Sequence, residues 1–552
     1  MPEDRVRLLL GPMLRWVDPH RATVWVHTDR PCRVEVTAGA GYGRAGTFTA
    51  FGNHYALVVV AGLTPGTAVP YQVRLDGAQV WPQSGSGFPV SRIRTPGPGR
   101  PVRLLFGSCR EATPYTMGNG GWPDVLDTYA VRLARGEAAW PDYLVLLGDQ
   151  VYADQTSPHT RRFLRRRRRH HPGPVTQVTD FVEYGQLYRE SWSDPELRWL
   201  LSTVPSMMIF DDHEVIDDWN TSAAWRREIR RFPWWQDRIT GALAAYWVYQ
   251  HLGNLSPDEL ATDPLFAAVH RVPDAGQMLV EFTCAADAEA DGQPGPRWSY
   301  RVDLGRTRIV MLDTRCSRVL SEARRDMLPA AEWRWFTEQL TGNYDHLVVG
   351  SSLPWLLPPA VHEVEAANEK LCGSPVRPVA AAAEWLRQLC DLEHWAAFRG
   401  SFHRLGDLLV GVAEGRYTAR RPATVTVISG DVHHSYLARL EPDARTGAPI
   451  YQATCSPIYN QAPHALRLGF LVGWSSSARL AAVAFARLSG SARCRIRWRK
   501  LSGPYFQNAL ALLVQHHRSA RLSVYGAERT PDADVRLVTL DQIPLSWPDR
   551  AR

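Results

Sequence analysis

Five short clusters in the chain carry side chains that bind metals and move protons. They are Cys109 in GSCR (Gly107 to Arg110), Asp149 and Tyr152 in GDQVYAD (Gly148 to Asp154), and Asp211, Asp212 and His213 in DDHEVIDD (Asp211 to Asp218). Asp313 in LDTR (Leu312 to Arg315) and Asp431, His433 and His434 in GDVHHS (Gly430 to Ser435) complete the set. Carboxylates, imidazoles, a phenol and a thiol brought to one place are costly if left buried and unpaired, so a multivalent metal centre is the simplest chemistry for them. The thiolate and phenolate favour a transition metal such as iron, and the carboxylate-rich remainder suits calcium, magnesium or manganese. Two adjacent metals activate water as hydroxide, polarise a phosphoryl oxygen and hold the leaving oxygen. His213, after two acids at a strand end, is the candidate acid for the leaving group. That chemistry is phosphoester hydrolysis.

The elements that must position these residues are legible as well. Each cluster ends a short run that is apolar on both faces: VRLLFGSCR, YLVLLGDQ, SMMIFDDHE, RIVMLDTR and TVTVISGDVHH, with a sixth run, HLVVGSS, ending on Ser351 and Ser352. Such runs are expected of central strands covered by helices, with functional residues at the strands' C-terminal ends. Apolar spacing predicts helices over 124–135, 181–192, 238–252 and 330–340. Before them, from about Leu8 to Thr95, short alternating segments punctuated by Gly, Pro and Asn predict an antiparallel sandwich of immunoglobulin or fibronectin type, closed by the linker-like TPGPG from Thr95. After about Ser491, strand-like pieces flank ALALLVQHH, which reads as helical. The expected division is a β-sandwich over 1–97, a catalytic body over 98–460, and helices and strands over 461–552 that complete the body.

Composition sets the remaining bounds. Of 552 residues, 45% are hydrophobic and 22% charged, which excludes a disordered, collagen-like, coiled-coil or membrane-spanning chain. The net charge of +7 rests almost wholly on arginine, since Lys370 and Lys500 are the only lysines. One cationic cluster, Arg161 to His171, reads either as a solvated mobile loop or as an electrostatic funnel for a polyanionic substrate such as nucleic acid, an anionic polymer or a phospholipid surface. Eight scattered cysteines without a C-x-x-C pair exclude a disulfide framework and a zinc ribbon. The apolar stretch around 465–487 is broken by Arg467, by Ser475 to Ser477 and by Arg479, so no transmembrane helix is expected; a lid-like helix pair or an interfacial segment remains. The N-terminus lacks the features of a secretory signal, which points to the cytoplasm, or to secretion if the start is misassigned. A monomer is expected.

Taken together, GSCR, GDQVYAD, DDHEVIDD, LDTR and GDVHHS resemble the PhoD-like alkaline phosphatases and phosphodiesterases of the calcineurin-like metallophosphoesterase superfamily. The resemblance implies an α/β (α+β) four-layer sandwich behind an all-β immunoglobulin- or fibronectin-like domain. It implies that Cys109, Asp149 and Tyr152 hold a ferric ion, with Asp149 bridging to a second metal, and that Asp212, Asp431 and His433 complete the centre. Asp431 and His433 stand where the wider superfamily has two histidines, an exchange that implies Ca2+ beside Fe3+, with Mn2+ or Mg2+ as other candidates. Ser351 and Ser352 stand where the superfamily has a further metal-binding histidine. A metal-activated hydroxide attacks phosphorus in this reading, and His213 assists the leaving group. Arg110 and His434 are the substrate-contact candidates, each with a structural alternative. The competing functions are a phospholipase D- or nuclease-type phosphodiesterase, and a polyanion-binding module with a vestigial site.

Overall fold

The computed structural model describes residues 5–112, 122–170, 173–441, 447–461, 463–530 and 534–546. Its first nine strands form a β-rich region with the order Leu8–Val17, Arg21–Thr28, Asn53–Ala61, Gly41–Gly46, Arg33–Ala38, Ala68–Leu75 and Ala78–Trp81. Phe48–Ala50 and Arg92–Arg94 attach to its sides. A single pairing, Tyr42 with Ala61, joins the halves. Strict alternation along Ala68–Leu75 turns Tyr71, Val73 and Leu75 into the local core.

This region is keyed into the rest of the chain. Arg15, 1% exposed, donates to the carbonyls of Ser206, Tyr249 and Gln250 and to Asn254. Trp25 Nε1 donates to Val248 O at 3.0 Å, and Tyr71 Oη to Ser202 O at 2.6 Å. A buried arginine needs several acceptors, and these backbone carbonyls supply them.

The body holds two sheets. One has the spatial order Ser206–Ile209, Tyr143–Leu147, Val102–Gly107, Ala509–His516, Ser519–Arg529 and Val535–Ser546. The other has Tyr300–Leu304, Thr307–Leu312, His346–Ser351, Thr424–Ser429, Ile450–Thr454, Ser435–Leu440 and Trp498–Tyr505. Alternate residues of the second sheet enter different cores. Ile309, Met311 and Val348 pack with Leu104, Val145 and Met208 of the first sheet, while Val310, Leu312, Leu347 and Val349 pack with the helices Ala330–Gln339 and Arg399–Ala413.

All six apolar runs are strands, and those carrying the clusters are parallel within each sheet, so the clusters share one edge. The helices expected over 124–135, 181–192 and 330–340 are present as Val125–Ala134, Phe181–Trp192 and Ala330–Gln339. The one expected over 238–252 starts earlier, at Trp235, and passes through a π turn, Tyr246–Gln250, into a 3-10 turn.

Two expectations are corrected. ALALLVQHH is not helical: Ala509–His516 is a central strand paired antiparallel with Val102–Gly107, and its uniform apolarity reflects burial on both faces. The arginine cluster is not a loop: Pro158–Arg167 is a helix capped by Ser157, with proline at its first turn. Arg167 and Arg168 are tied to Glu183, and Arg167 also to Asp180. Arg162, Arg165, Arg166 and Arg169 are exposed, and His171 lies outside the described residues.

Candidate metal centre

The clusters meet at the shared strand edge through turns that bend sharply. Cys109, Asp149, Asp431 and His433 all have left-handed backbone, with φ of 58°, 53°, 69° and 46°. Four non-glycine residues in that region at one place is the kind of local strain that folds concentrate at functional sites. The adjacent glycines permit the close approach. A Cβ on Gly148 would lie 2.5 Å from Asp211 Cβ, and one on Gly430 would lie 2.1 Å from Ser108 Oγ.

Cys109, Asp149 and Tyr152 converge. Cys109 Sγ lies 3.3 Å, and Tyr152 Oη 3.5 Å, from Asp149 Oδ2. Asn460 donates to Tyr152 Oη at 2.9 Å. Burial, reinforced by Asp149 and Asp431, pushes the Cys109 thiol well above its ordinary range. Burial does the same to Asp149, with Asp212 and Asp211 adding to it against the opposing charge of His213. Two sets of ligand atoms lie within 4.8 Å of one another: Asp149, Asp212 and His213, and Asp211, Asp212 and Asp431. Asp149 Oδ1 and Asp211 Oδ2 are buried without hydrogen-bond partners, and Asp212 Oδ1 meets only Arg315 Nη2, at 3.3 Å. Buried, unpartnered carboxylate oxygens facing one another are the donor set that a multivalent cation satisfies.

His213 has its Nδ1 3.0 Å from both oxygens of Asp154. Burial opposes the charge on this imidazole, yet Asp154 and Asp212 outweigh it and raise its pKa well above the ordinary value. The side chains of Asp431 and His213 are 18% and 12% exposed, whereas that of Asp212 is 6% exposed and Cys109, Asp149 and Tyr152 are buried, so solvent reaches the centre past Asp431 and His213. His433 sits two residues beyond Asp431 in the same turn; burial, together with the charge of His213, lowers its pKa to about 4.

The substrate-contact expectations for Arg110 and His434 do not fit this geometry. The Arg110 guanidinium is buried against Asp124 at 2.8 Å and Asp127 at 3.1 Å, which ties it to the start of the helix Val125–Ala134. His434 is fully buried, donates from Nδ1 to Val432 O at 2.7 Å, stacks with Tyr436 and Phe506, and packs at a tilt against Phe470. Arg315 is also buried, bonded to Asp211 and Glu393, with Nη2 3.3 Å from Asp212 and 3.5 Å from Asp431. Asp313 accepts from the backbone of Arg315, Cys316 and Ser317 and so fixes that turn. Ser351 and Ser352 are engaged elsewhere, with Leu353 O and Trp395 and with Thr314.

Four residues, Glu214, His394, Glu365 and Asp154, escaped sequence reasoning. Glu214 accepts from the backbone N–H of Asp149, Gln150 and Asp211, which locks two of the turns together. His394 bridges Asp431 and Glu365, at 2.8 Å from each. Burial opposes ionisation of Asp431, but His394 and Arg315 prevail and hold its carboxyl below the usual range. Asp154 had a signal, its place in GDQVYAD, whereas His394 and Glu365 lie outside any strand-end cluster.

Comparison with known proteins agrees with this geometry. The model of the PhoD-like phosphatase family matches residues 120–468, and a domain of unknown function, DUF7800, matches residues 5–93. The solved structure of PhoD shares the fold at a TM-score of 0.57 and 13% identity, over 97% of this chain and 92% of that one. A maltogenic amylase from S. marinus aligns only at a TM-score of 0.14 and 8% identity, over 95% of this chain and 78% of that one, which carries no argument. No curated protein sequence matches. With a buried carboxylate centre at its strand ends and the family model spanning more than half its length, the chain belongs to the PhoD-like phosphatase family, enzymes that hydrolyse phosphoesters with metals.

Proposed function

We propose that the chain hydrolyses phosphomonoesters or phosphodiesters at a two-metal centre held by Cys109, Asp149, Tyr152, Asp212, Asp431 and His433, with iron at the thiolate–phenolate end and calcium at the carboxylate end. The observation that carries this reading is the convergence of the buried carboxylates of Asp149, Asp211 and Asp212, with oxygens of Asp149 and Asp211 unpartnered, beside Cys109 and Tyr152. When bound, such metals supply Lewis acidity to a phosphoryl oxygen and lower the pKa of water.

The chain's own residues do the rest. Asp154 orients His213 and favours its protonated form, so the imidazole can deliver a proton from Nε2 to the departing alcohol. Glu214 fixes the turns bearing Asp149 and Asp211 to each other, which sets the spacing of the acids. His394 and Glu365 orient Asp431, and Tyr152 packs its ring 4.6 Å from that of His213. The same reading takes the two sheets and their outer helices as a helix–sheet–sheet–helix sandwich, and the first 97 residues as an immunoglobulin-like leading domain.

The test is elemental analysis of the purified protein together with hydrolysis of a chromogenic monoester and diester at alkaline pH, with and without calcium. Stoichiometric iron and calcium-dependent turnover, both lost in Cys109→Ala, are expected. A protein that binds no metal and hydrolyses neither ester after reconstitution would sink the reading.

A further inference from the structure

The helices His464–Gly473 and Ser476–Leu488 form a pair bent by 87° across a two-residue break. Among the described residues no single helix is long and apolar enough to cross a membrane. At about 1.5 Å per residue, the longer of the two reaches only about 20 Å, short of a bilayer core of about 30 Å. The pair is nevertheless apolar on its outer side. Leu468, Leu480 and Leu488 are 63%, 72% and 89% exposed, and Leu466 and Leu471 about half exposed. Leu480 and Leu488 lie eight residues apart and so share one helix face, while Ala482 and Ala486 turn inward.

Large aliphatic side chains left in water on one face mark an interaction surface. It continues sideways into the helix Arg377–Leu389, where Leu389 is 59% exposed, whereas Trp385 turns to the other side of that helix, beside Glu228, Glu322 and Glu384. Between the pair and this helix, Phe485 closes an apolar groove of about 400 Å³ lined by Val364, Leu371, Val379 and Leu386.

Charge says what covers this surface. No Asp or Glu occurs from 447 to 527, while Arg479, Arg487, Arg493, Arg495, Arg497 and Arg499 are all exposed in or just after the pair. Of these, Arg495 meets Asp407 at 3.5 Å, between side chains about 70% exposed, a contact weak enough to leave the cation available. A second copy of the chain would set these arginines against themselves across a two-fold axis, which opposes self-association. A short helix pair with protruding leucines and arginines around it has the composition that lies in the plane of a membrane interface, and cations that outnumber the acids beside them, Glu363 near Arg479 and Arg487 and Asp407 near Arg495, select anionic lipid.

We infer that this helix pair, with the adjoining face of the helix Arg377–Leu389, docks the protein onto an anionic lipid bilayer. The leucines enter the head-group boundary and the arginines meet lipid phosphates. The ring of Phe470, in the first helix of the pair, packs at a tilt 4.2 Å from that of His434, the neighbour of His433, so docking brings the metal centre close to the bilayer. The inference goes beyond the hydrolytic reading and does not depend on it.

Vesicle co-sedimentation of the full chain tests it, with phosphatidylcholine alone against phosphatidylcholine mixed with phosphatidylglycerol. Binding only to the anionic vesicles, weakened by salt, is expected. The triple variant Leu468→Gln/Leu480→Gln/Leu488→Gln should lose at least about tenfold in affinity, and Arg479→Gln/Arg487→Gln/Arg493→Gln roughly a hundredfold at low salt. Both sets are exposed, so melting temperatures should stay near that of the parent. Asp149→Ala, which removes hydrolysis in the reading above, should sediment like the parent. Failure of the parent to bind anionic vesicles, equal binding by both triple variants, or a leucine effect confined to the oligomer mass would overturn the inference.

Discussion

His213 faces Asp154 squarely: its Nδ1 lies 3.0 Å from each carboxylate oxygen, while Nε2 points toward Asp217, 3.7 Å away. One nitrogen is therefore held by a buried acid and the other turned to the open side of the centre. This pairing fixes the ring and favours its charged form, the two properties that an acid for a leaving group requires.

Asp154→Asn should keep the ring near its position but remove the charge that stabilises the imidazolium. The pKa of His213 then falls, so the proton is lost at lower pH and the alkaline limb of the kcat profile moves down. Activity should drop by about 10- to 100-fold, as for other residues that orient groups at a metal centre, with KM nearly unchanged. A pH–rate profile that keeps its alkaline limb in Asp154→Asn would show that the pair does not set the acid.

Asp431 depends on a chain of contacts through His394 to Glu365. Glu365→Gln leaves the shape but removes the charge that holds the imidazole, and Asp431 loses its orientation in turn. Calcium affinity measured by titration calorimetry should weaken by roughly 10- to 100-fold, with iron content unchanged. Equal loss of both metals would place the effect on folding rather than on this end of the centre.

Much of the centre is legible in the sequence because polar clusters at strand ends are local signals. A run of apolar residues, then a polar cluster, declares both the strand and the edge at which Cys109, Asp149, Asp212 and Asp431 stand. Residues that act across the fold carry no such signal. His394 lies after the helix Arg377–Leu389 and reaches Asp431 only because the chain returns there. Arg110 illustrates the converse: its motif places it beside Cys109, but only the fold reveals that Asp124 and Asp127 claim its guanidinium. ALALLVQHH misleads because a strand buried on both faces has lost the alternation that distinguishes it from a buried helix.

Acid sensitivity should come from histidines outside the centre. Burial lowers the pKa of His27, His251 and His362 to about 3 and of His346 to about 4. Above pH 6.5 these groups are neutral in both folded and unfolded chains and cost nothing. Below it the unfolded chain takes up protons that the folded one refuses, so stability falls as the pH drops from about 6.5 toward 4, by up to about 1.4 kcal/mol per pH unit for each histidine. In thermal unfolding these histidines should lower the melting temperature progressively below about pH 6. His251→Phe should flatten part of that decline.

Arg315 holds the acids of the centre together from behind, since its guanidinium bonds Asp211 and Glu393 and approaches Asp212 and Asp431. Breaking a buried pair by removing one partner costs about 3–5 kcal/mol, because the other charge is stranded in a poorly polarisable surrounding. Arg315→Met should therefore destabilise the chain by about that amount, seen in urea unfolding. Arg315→Lys keeps the charge but not the planar fork that serves several carboxylates at once, so it should restore only part of the loss. Asp211→Asn made in the Arg315→Met background removes one stranded charge and should recover stability relative to Arg315→Met alone. A double variant less stable than Arg315→Met would mean that Asp211 is held by something other than the arginine.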